Sequence, residues 1–160
     1  MPNSETVKTA SAHNYKKQIF VILLAIFIIF CLVFISLFYF NNKFTKNILI
    51  GNKNYSLEIV DNPASRQQGL GGRNNLAVNK AMLFDFKQNG RWSMWMKKMK
   101  FNLDFAWLDE NGKVVYIKEN VSPETFPSTF VSDNDARYVL ELNSGSLQAA
   151  DVKLGDIVHL

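Results

Sequence analysis

Cysteine is all but missing from this chain. The one cysteine, Cys31, lies inside an unbroken apolar run. Whatever folds outside that run has no disulfide and no Cys-based zinc site. Histidine is scarce too, and beyond the apolar run only His159, next to Leu160, remains. A Cys–His or Ser–His–Asp nucleophile system would have to rest on that residue, which argues against one. A dominant charge is also lacking. Residues 41–160 carry 15 Lys and Arg against 13 Asp and Glu, a balance of +2, with no basic tail or arm. The nearest approach to a basic patch is Arg91, Lys97, Lys98 and Lys100. On a strand these would be split between two faces, so no phosphate-tracking stripe forms and no nucleic-acid partner is expected. Internal repeats and low-complexity tracts are absent. Gly69-Leu70-Gly71-Gly72 lacks the Lys-Ser/Thr of a phosphate loop and reads as a turn. No cofactor and no metal are expected.

What is present begins with residues 19–40, IFVILLAIFIIFCLVFISLFYF, which hold no charge. At 1.5 Å rise per residue this run crosses a hydrocarbon core of roughly 30 Å. A cleaved signal peptide would have a shorter apolar region and a small-residue cleavage site. Here the run ends in Phe38-Tyr39-Phe40, suited to an interface, and no lipobox-type cysteine closes it. Lys8, Lys16 and Lys17 precede the run and Lys43, Lys46 and Lys53 follow it. Lys16-Lys17 abut the run directly, and the α-amino group adds to that side. The expectation is a cell-membrane, single-pass chain of bacterial type, N-terminus cytoplasmic and C-terminal domain extracytoplasmic. Its parts are a disordered tail (1–18), a transmembrane helix (19–40), a linker (41–47) and a β domain (48–160).

Within the domain, turn signals recur at short intervals between β-branched and aromatic segments, which predicts an all-β fold. Ile48–Ile50 and Tyr55–Val60 flank Gly51-Asn52-Lys53-Asn54, a hairpin. Asn62-Pro63 starts a short helix that Gly69 stops. Asn89-Gly90 predicts a second hairpin pairing Phe84 with Trp95, Met82 with Lys97 and Leu83 with Met96. Asn111-Gly112 predicts a third, pairing Glu110 with Lys113, Leu108 with Val115, Ala106 with Ile117 and Asp104 with Glu119. Residues 118–135 read as a loop, Arg137–Leu142 as a strand, Ser144–Ala150 as a helical turn or two, and Ile157–Leu160 as a last strand. Both faces of the third hairpin are apolar near its turn, so it should be covered on both sides. The predicted fold is mainly β: a compact antiparallel sandwich or barrel-like domain with one or two short helices, preceded by one transmembrane helix.

Several blocks from Asp61 onward carry a resemblance. They are Asp61-x4-Arg66-x2-Gly69-Leu70 with Arg73 and Leu76, then Ala81-Met82-Leu83-Phe84, then Trp95-Met96-Lys97. Leu103-Asp104, Ala106 through Asp109, Ala136 through Glu141, and Gly155-Asp156 complete the series in order. The set resembles the domain-of-unknown-function family 192 over roughly residues 50–160. The resemblance implies a compact all-β domain, exported or membrane-tethered, and implies no reaction. The chain departs from the family pattern at Gly71, where Met is common, at Ala81, where Gly is usual, at Lys98-Met99, where Asn-Thr is usual, and at Asn102, where Pro is usual.

Two carboxylates directly opposite on a strand pair repel, so Asp104 and Glu119 need compensation. A cation or a shared proton would make a site. Neutralisation by Lys97 or Arg66, or a bulge separating the pair, would make the arrangement structural. Trp95, Lys97 and Ser93 share a strand face and could stack a sugar ring or hold an anion, although a strand Trp is more often core. Arg137 and Glu141, four apart on one strand, share a face. With Asp104 or Lys97 they could build a polar cleft, or else form a solvated sheet face. Arg66 sits on the short helix. The candidate cleft is therefore Arg66, Trp95, Lys97, Asp104, Glu119 and Glu141. The expected function is a binding or interaction module, its partners the lipid bilayer through residues 19–40 and an envelope ligand or protein. The alternatives are a hydrolase of an envelope component, using Asp104 with Glu119 or Glu141 as acid and base, and a structural assembly role.

Overall fold

In the computed structural model, residues 4–41 and 45–160 are described, with side chains over 17–35 and 46–160. The chain forms two compact units, Met1–Lys43 and Phe44–Leu160.

The first unit is one helix, α1 (Ser4–Asn41). It takes in most of the tail read as disordered as well as the apolar run. From residue 3 to residue 41 there is no Gly and no Pro, so nothing stops a helix nucleated in the apolar run from propagating backwards. The stretch Lys17–Ile35 is long and apolar enough to cross a membrane, and none of it is buried. Residues 1–3 of the expected tail and 42–44 of the expected linker lie outside the described residues. Of the rest of that linker, Asn41 ends α1 and 45–47 are strand.

The second unit is built on a six-stranded sheet in the order β1-β2-β3-β8-β5-β6. Its strands are β1 (Thr45–Ile50), β2 (Lys53–Val60), β3 (Lys80–Gly90), β5 (Leu103–Leu108), β6 (Val114–Val121) and β8 (Ala136–Asn143). β4 (Ser93–Trp95) and β7 (Thr129–Val131) form a separate two-stranded ribbon. Helix α2 (Pro63–Gln68) follows β2, and α3 (Ser146–Ala149) follows β8. The fold is mainly β, as the sequence indicates, and the sheet is open rather than a closed barrel. It is not wholly antiparallel, because β2 and β3 run parallel from Ser56↔Lys80 to Val60↔Phe84. A parallel pair needs a crossover, and residues 61–79 with α2 supply it.

Both faces of the sheet are covered. On one face Ile50, Leu57, Leu83, Ala106, Leu140 and Leu142 pack with Leu147, Ala150, Val152 and Val158 of the C-terminal segment. On the other, Met82, Phe84, Phe105, Trp107 and Val139 pack with Leu70, Leu76, Met94 and Met96, with Phe130 against them. Every residue of β5 is buried, which matches its apolar composition apart from Asp104. The Trp107 indole N–H reaches the Trp92 carbonyl (2.8 Å), and the Trp92 N–H reaches that of Ala136 (2.8 Å), so neither ring carries an unpaired donor inward.

The turn Gly51-Asn52 is held against the C-terminal segment, where Asn52 N–H donates to Ala150 O (3.0 Å). Gly51 has φ +57, and an added Cβ would lie 1.9 Å from Ala150 O. Gly51→Ala is expected to cost at least about 2 kcal/mol and lower the melting temperature accordingly, measured by circular dichroism.

Asn89-Gly90 does not make a hairpin. It lies inside β3, which continues along β8 to Gly90↔Ala136 past an irregularity at 85–90. The Asp85 carboxylate accepts from Lys87 N–H (2.8 Å), and Lys87 takes φ 63, so the extra residues are absorbed as a bulge. Phe86 stacks on Trp92 at 4.1 Å, and β4 leaves the sheet to pair with β7, Trp95 opposite Thr129. The expected partners of Trp95, Lys97 and Met96 are corrected accordingly. Residues 118–135 hold the end of β6, a 3-10 turn (Pro123–Thr125) and β7, and the expected last strand is reduced to one bridge, Lys113↔Ile157.

The Asn111-Gly112 hairpin forms with its far register as expected, Ala106↔Ile117, but Leu108 meets Val114 rather than Val115. The Asp109 carboxylate accepts from Asn111 N–H (2.8 Å) and Lys113 N–H (2.9 Å), which makes a three-residue loop with Gly112 at φ 80. A shift between Trp107 and Leu108 then restores the expected register.

A cleft floored by an unpaired carboxyl

Arg66, Trp95, Lys97 and Glu141 line one cleft of about 230 Å³. Asp104 and Glu119 do not belong to it. In register, Asp104 pairs with Leu142 and Phe105 with Glu141, and neighbours along a strand point to opposite faces. Asp104 and Glu141 therefore occupy opposite sides of the sheet. Asp104 and Glu119 instead border a separate open groove with Asn120, Ser144 and Lys153.

Each wall of the cleft has a local cause. Asn62 caps α2: its side chain accepts from Ser65 N–H (2.9 Å) while Ser65 Oγ accepts from Asn62 N–H (3.3 Å). With Pro63 at the first helical position this sets the start of the helix that carries Arg66. Arg66 Nη1 donates to the Asp85 carbonyl (3.0 Å) and its guanidinium lies 5.2 Å from the Phe86 ring. Past the helix, Gly72 N–H donates to Lys98 O (2.8 Å). A Cβ on Gly71 would lie 3.0 Å from the carbonyl oxygens of both Gln68 and Lys97, so only glycine lets the two loops meet this closely. Three departures from the family pattern, Gly71, Lys98 and Met99, thus fall together at this edge.

The ribbon supplies Trp95, which is 41% exposed at the mouth, while Met94 and Met96 on either side are buried. The core reading for Trp95 is thereby corrected: β4 pairs with β7 instead of β3, which leaves the indole facing outward. Lys97 Nζ sits 5.4 Å from the indole centre, and no acidic partner of Lys97 appears among the described residues.

Glu141 forms the floor. It stands between Met82 and Phe105 in the sheet, is 4% exposed, and its Oε2 has no hydrogen-bond partner among the described residues. Burial pushes its carboxyl up to about 8, which the Arg73 guanidinium only partly offsets. Arg73 is itself held by Glu58 in two bonds of 2.8 and 2.9 Å. At neutral pH the Glu141 side chain is therefore mainly a neutral acid, able to donate one hydrogen bond.

Asp104 contrasts with it. It is fully buried, yet Oδ1 accepts from Asn120 N–H (2.9 Å) and Oδ2 from Leu147 N–H (3.2 Å). Asn120 takes φ 50 where the pairing with β6 slips between Leu103 and Phe105. This bulge separates Asp104 from the exposed Glu119, so the opposed pair does not form. Of the acid–base pairs in the hydrolase alternative, Asp104 with Glu141 is divided by the sheet, and in Asp104 with Glu119 both Asp104 oxygens already accept backbone N–H groups. Arg137 also stands away from the cleft: it lies 5.0 Å from the Tyr138 ring, with Nε 3.5 Å from Asp85 Oδ1. Burial raises Asp85, but the Lys87 ammonium and backbone N–H, with Arg137, outweigh it and hold the carboxyl below its ordinary value. Among the described residues no group of three or more His, Cys, Asp or Glu is placed to hold a metal.

The sequence did not single out Phe86, Met94 or Arg73 for the site. Phe86 and Met94 read as ordinary core positions, and Arg73 comes close to Glu141 only through the β2–β3 crossover.

The family model described as "Uncharacterized ACR", domain-of-unknown-function family 192, matches residues 46–160. The chain belongs to this family. The family's fold is also seen in a crystal structure from Sinorhizobium meliloti 1021, of a candidate transcription regulator, at 30% identity and TM-score 0.66. That match covers 71% of this chain and 89% of the other. A protein of unknown function from Novosphingobium aromaticivorans DSM 12444 matches at 21% identity and TM-score 0.66, over 72% of this chain and 84% of its own, and shares the fold. No curated protein matches the chain.

Proposed function

We propose that this member of domain-of-unknown-function family 192 is a membrane-anchored binding module that holds a small ligand in the cleft floored by Glu141. The observation that carries the reading is the Glu141 carboxyl, 4% exposed with an orphaned oxygen. Native proteins pair the great majority of buried polar groups, and a buried group kept unpaired at a cost to stability is characteristic of a site. The exposed Trp95, and Lys97 beside it with no acidic partner among the described residues, support the same reading. Helix α1 supplies the anchor, with Lys16-Lys17 on the cytoplasmic side and the β domain extracytoplasmic.

Two measurements test this. In spheroplasts of a bacterial host expressing the full chain, added protease should digest the β domain and leave a protected fragment holding residues 19–40. An intact domain that is cut only after lysis would reverse the orientation. In the full chain held in phosphatidylcholine nanodiscs and labelled at methionine methyls, a small-molecule library should yield compounds that move the Met94 and Met99 signals, which lie in the cleft. Trp95→Ala should abolish those shifts and leave the melting temperature within about 2 °C, since exposed substitutions cost little.

A further inference from the structure

We propose that the cleft is selective for small organic anions: Lys97 and Arg66 hold the anionic group at the mouth, Trp95 packs on the ligand's apolar body, and the Glu141 carboxyl hydrogen-bonds an acceptor at its inner end. The inference rests on the reading of the cleft as a binding site and assigns its ligand class.

Three observations converge. The first is charge. The cleft is lined by Arg66 and Lys97 against one acid, Glu141. The Arg66 hydrogen bond goes to a backbone carbonyl and Lys97 rests against an indole, so neither cation is neutralised by a carboxylate among the described residues. Arg73 adds positive charge behind the floor, itself paired with Glu58. The strand neighbours of Glu141, Met82 and Phe105, carry none. A cationic ligand would have to pass two cations to reach a neutral acid. An anion meets two donors first, and charge-assisted bonds to carboxylates are the stronger kind. The second is lining. Phe84, Phe86, Met94 and Met99 surround the polar groups, so the ligand carries an apolar or ring body beside its charge. The third is size. About 230 Å³ falls below the roughly 300–1,000 Å³ typical of pockets for drug-sized molecules, which fits one ring with its charged group.

Protonation links to binding. The Arg73 guanidinium, itself held by Glu58, stands near Glu141, and Arg66 and Lys97 line the same cleft. A rise in pH acts on Glu141 itself, which loses its donor and becomes a second negative charge opposite the ligand.

The test uses the full chain in phosphatidylcholine nanodiscs, methionine-methyl labelled, titrated with benzoate, benzyl alcohol and benzylamine. These share a ring and differ in charge. Benzoate is expected to shift the Met94 and Met99 methyls saturably at pH 6.5. Its affinity should fall by ~10-fold in Lys97→Ala, as for loss of one charged hydrogen bond, and again between pH 7 and 9 in wild type. Glu141→Gln, which keeps a donor, should bind benzoate with little dependence on pH. Saturable shifts with benzylamine and none with benzoate would overturn the anion assignment while leaving the cleft a binding site. Shifts with benzoate that Lys97→Ala leaves unchanged would overturn the role of the rim. No shift with any of the three, nor with the wider library, would overturn the binding reading as well.

Discussion

Glu141→Gln is expected to stabilise the protein at alkaline pH and to flatten the dependence of its stability on pH. The sign follows from the direction of the shift. Burial raises the Glu141 carboxyl from 4.5 to about 8 in the folded protein. Below about 4.5 both folded and unfolded chains hold the proton, and this group does not change their balance. Between 4.5 and 8 the unfolded chain releases the proton while the folded one keeps it, so stability falls as pH rises. Above about 8 both have released it and the loss is complete. At 1.36 kcal/mol per pH unit the full loss is on the order of 5 kcal/mol, a large part of the 5–15 kcal/mol typical of a domain. Gln is close in shape and does not titrate. Wild type and variant should therefore melt within a few degrees of each other at pH 4.5 and far apart at pH 9, with the variant higher. Asp85 does not obscure the result. Its folded value lies below the ordinary one, so its contribution is present throughout this window and is lost only in stronger acid. Parallel melting curves for the two proteins from pH 5 to 9 would show that Glu141 ionises freely, and the unpaired carboxyl would lose its meaning.

Asp104→Asn is expected to do the opposite, lowering the melting temperature by about 10 °C, equivalent to about 2–4 kcal/mol. The side chain is fully buried and accepts N–H donors on both oxygens. Asn can accept at one and must turn an NH2 group toward the other donor, leaving a buried N–H unpaired. Neither EDTA nor millimolar Ca²⁺ should change the melting of wild type or variant. A variant as stable as wild type would mean that the bonds from Asn120 and Leu147 contribute nothing, and that the charge is kept for another purpose. The two substitutions thus separate two buried carboxylates only 37 positions apart, one built into the scaffold and one held against it.

Where the sequence spoke through local chemistry, it could be read. Asn62-Pro63 marks the start of α2, and Asn111-Gly112 brings Ala106 opposite Ile117, because caps and tight turns are decided within a few residues. The same logic misleads at Asn89-Gly90. Its flanking strands have better partners elsewhere: β3 pairs with β2 and β8, and β4 with β7. The stacking of Phe86 on Trp92 and the bulge at Asp85–Lys87 are tertiary outcomes that turn residues do not encode. The cleft follows the same division. Alternation along the strands places Trp95 with Lys97, but only the parallel crossover brings Arg66 over the same floor as Glu141. Asp104 falls outside the cleft because it pairs with Leu142, one place from Glu141, and one slipped residue near Asn120 turns the expected carboxylate pair into a backbone clamp on Asp104. That Glu141 Oε2 has no hydrogen-bond partner among the described residues follows from its surroundings, Met82, Phe105 and an Arg73 held by Glu58, and no pattern along β8 announces it.

The place of β8 in the sheet governs how the fold can be reached. It is the last strand made, yet it lies between β3 and β5. Until residues 136–143 emerge, the earlier strands of this sheet can exist only as two fragments, β1-β2-β3 and β5-β6, each with a bare inner edge. Assembly must wait for a segment far away in sequence, and such long-range closure is slow. During that wait two unpaired edges rich in Met, Leu, Phe and Trp stand open to pairing with other chains. The same late strand carries Glu141, so the cleft acquires its floor in the step that seals the sheet.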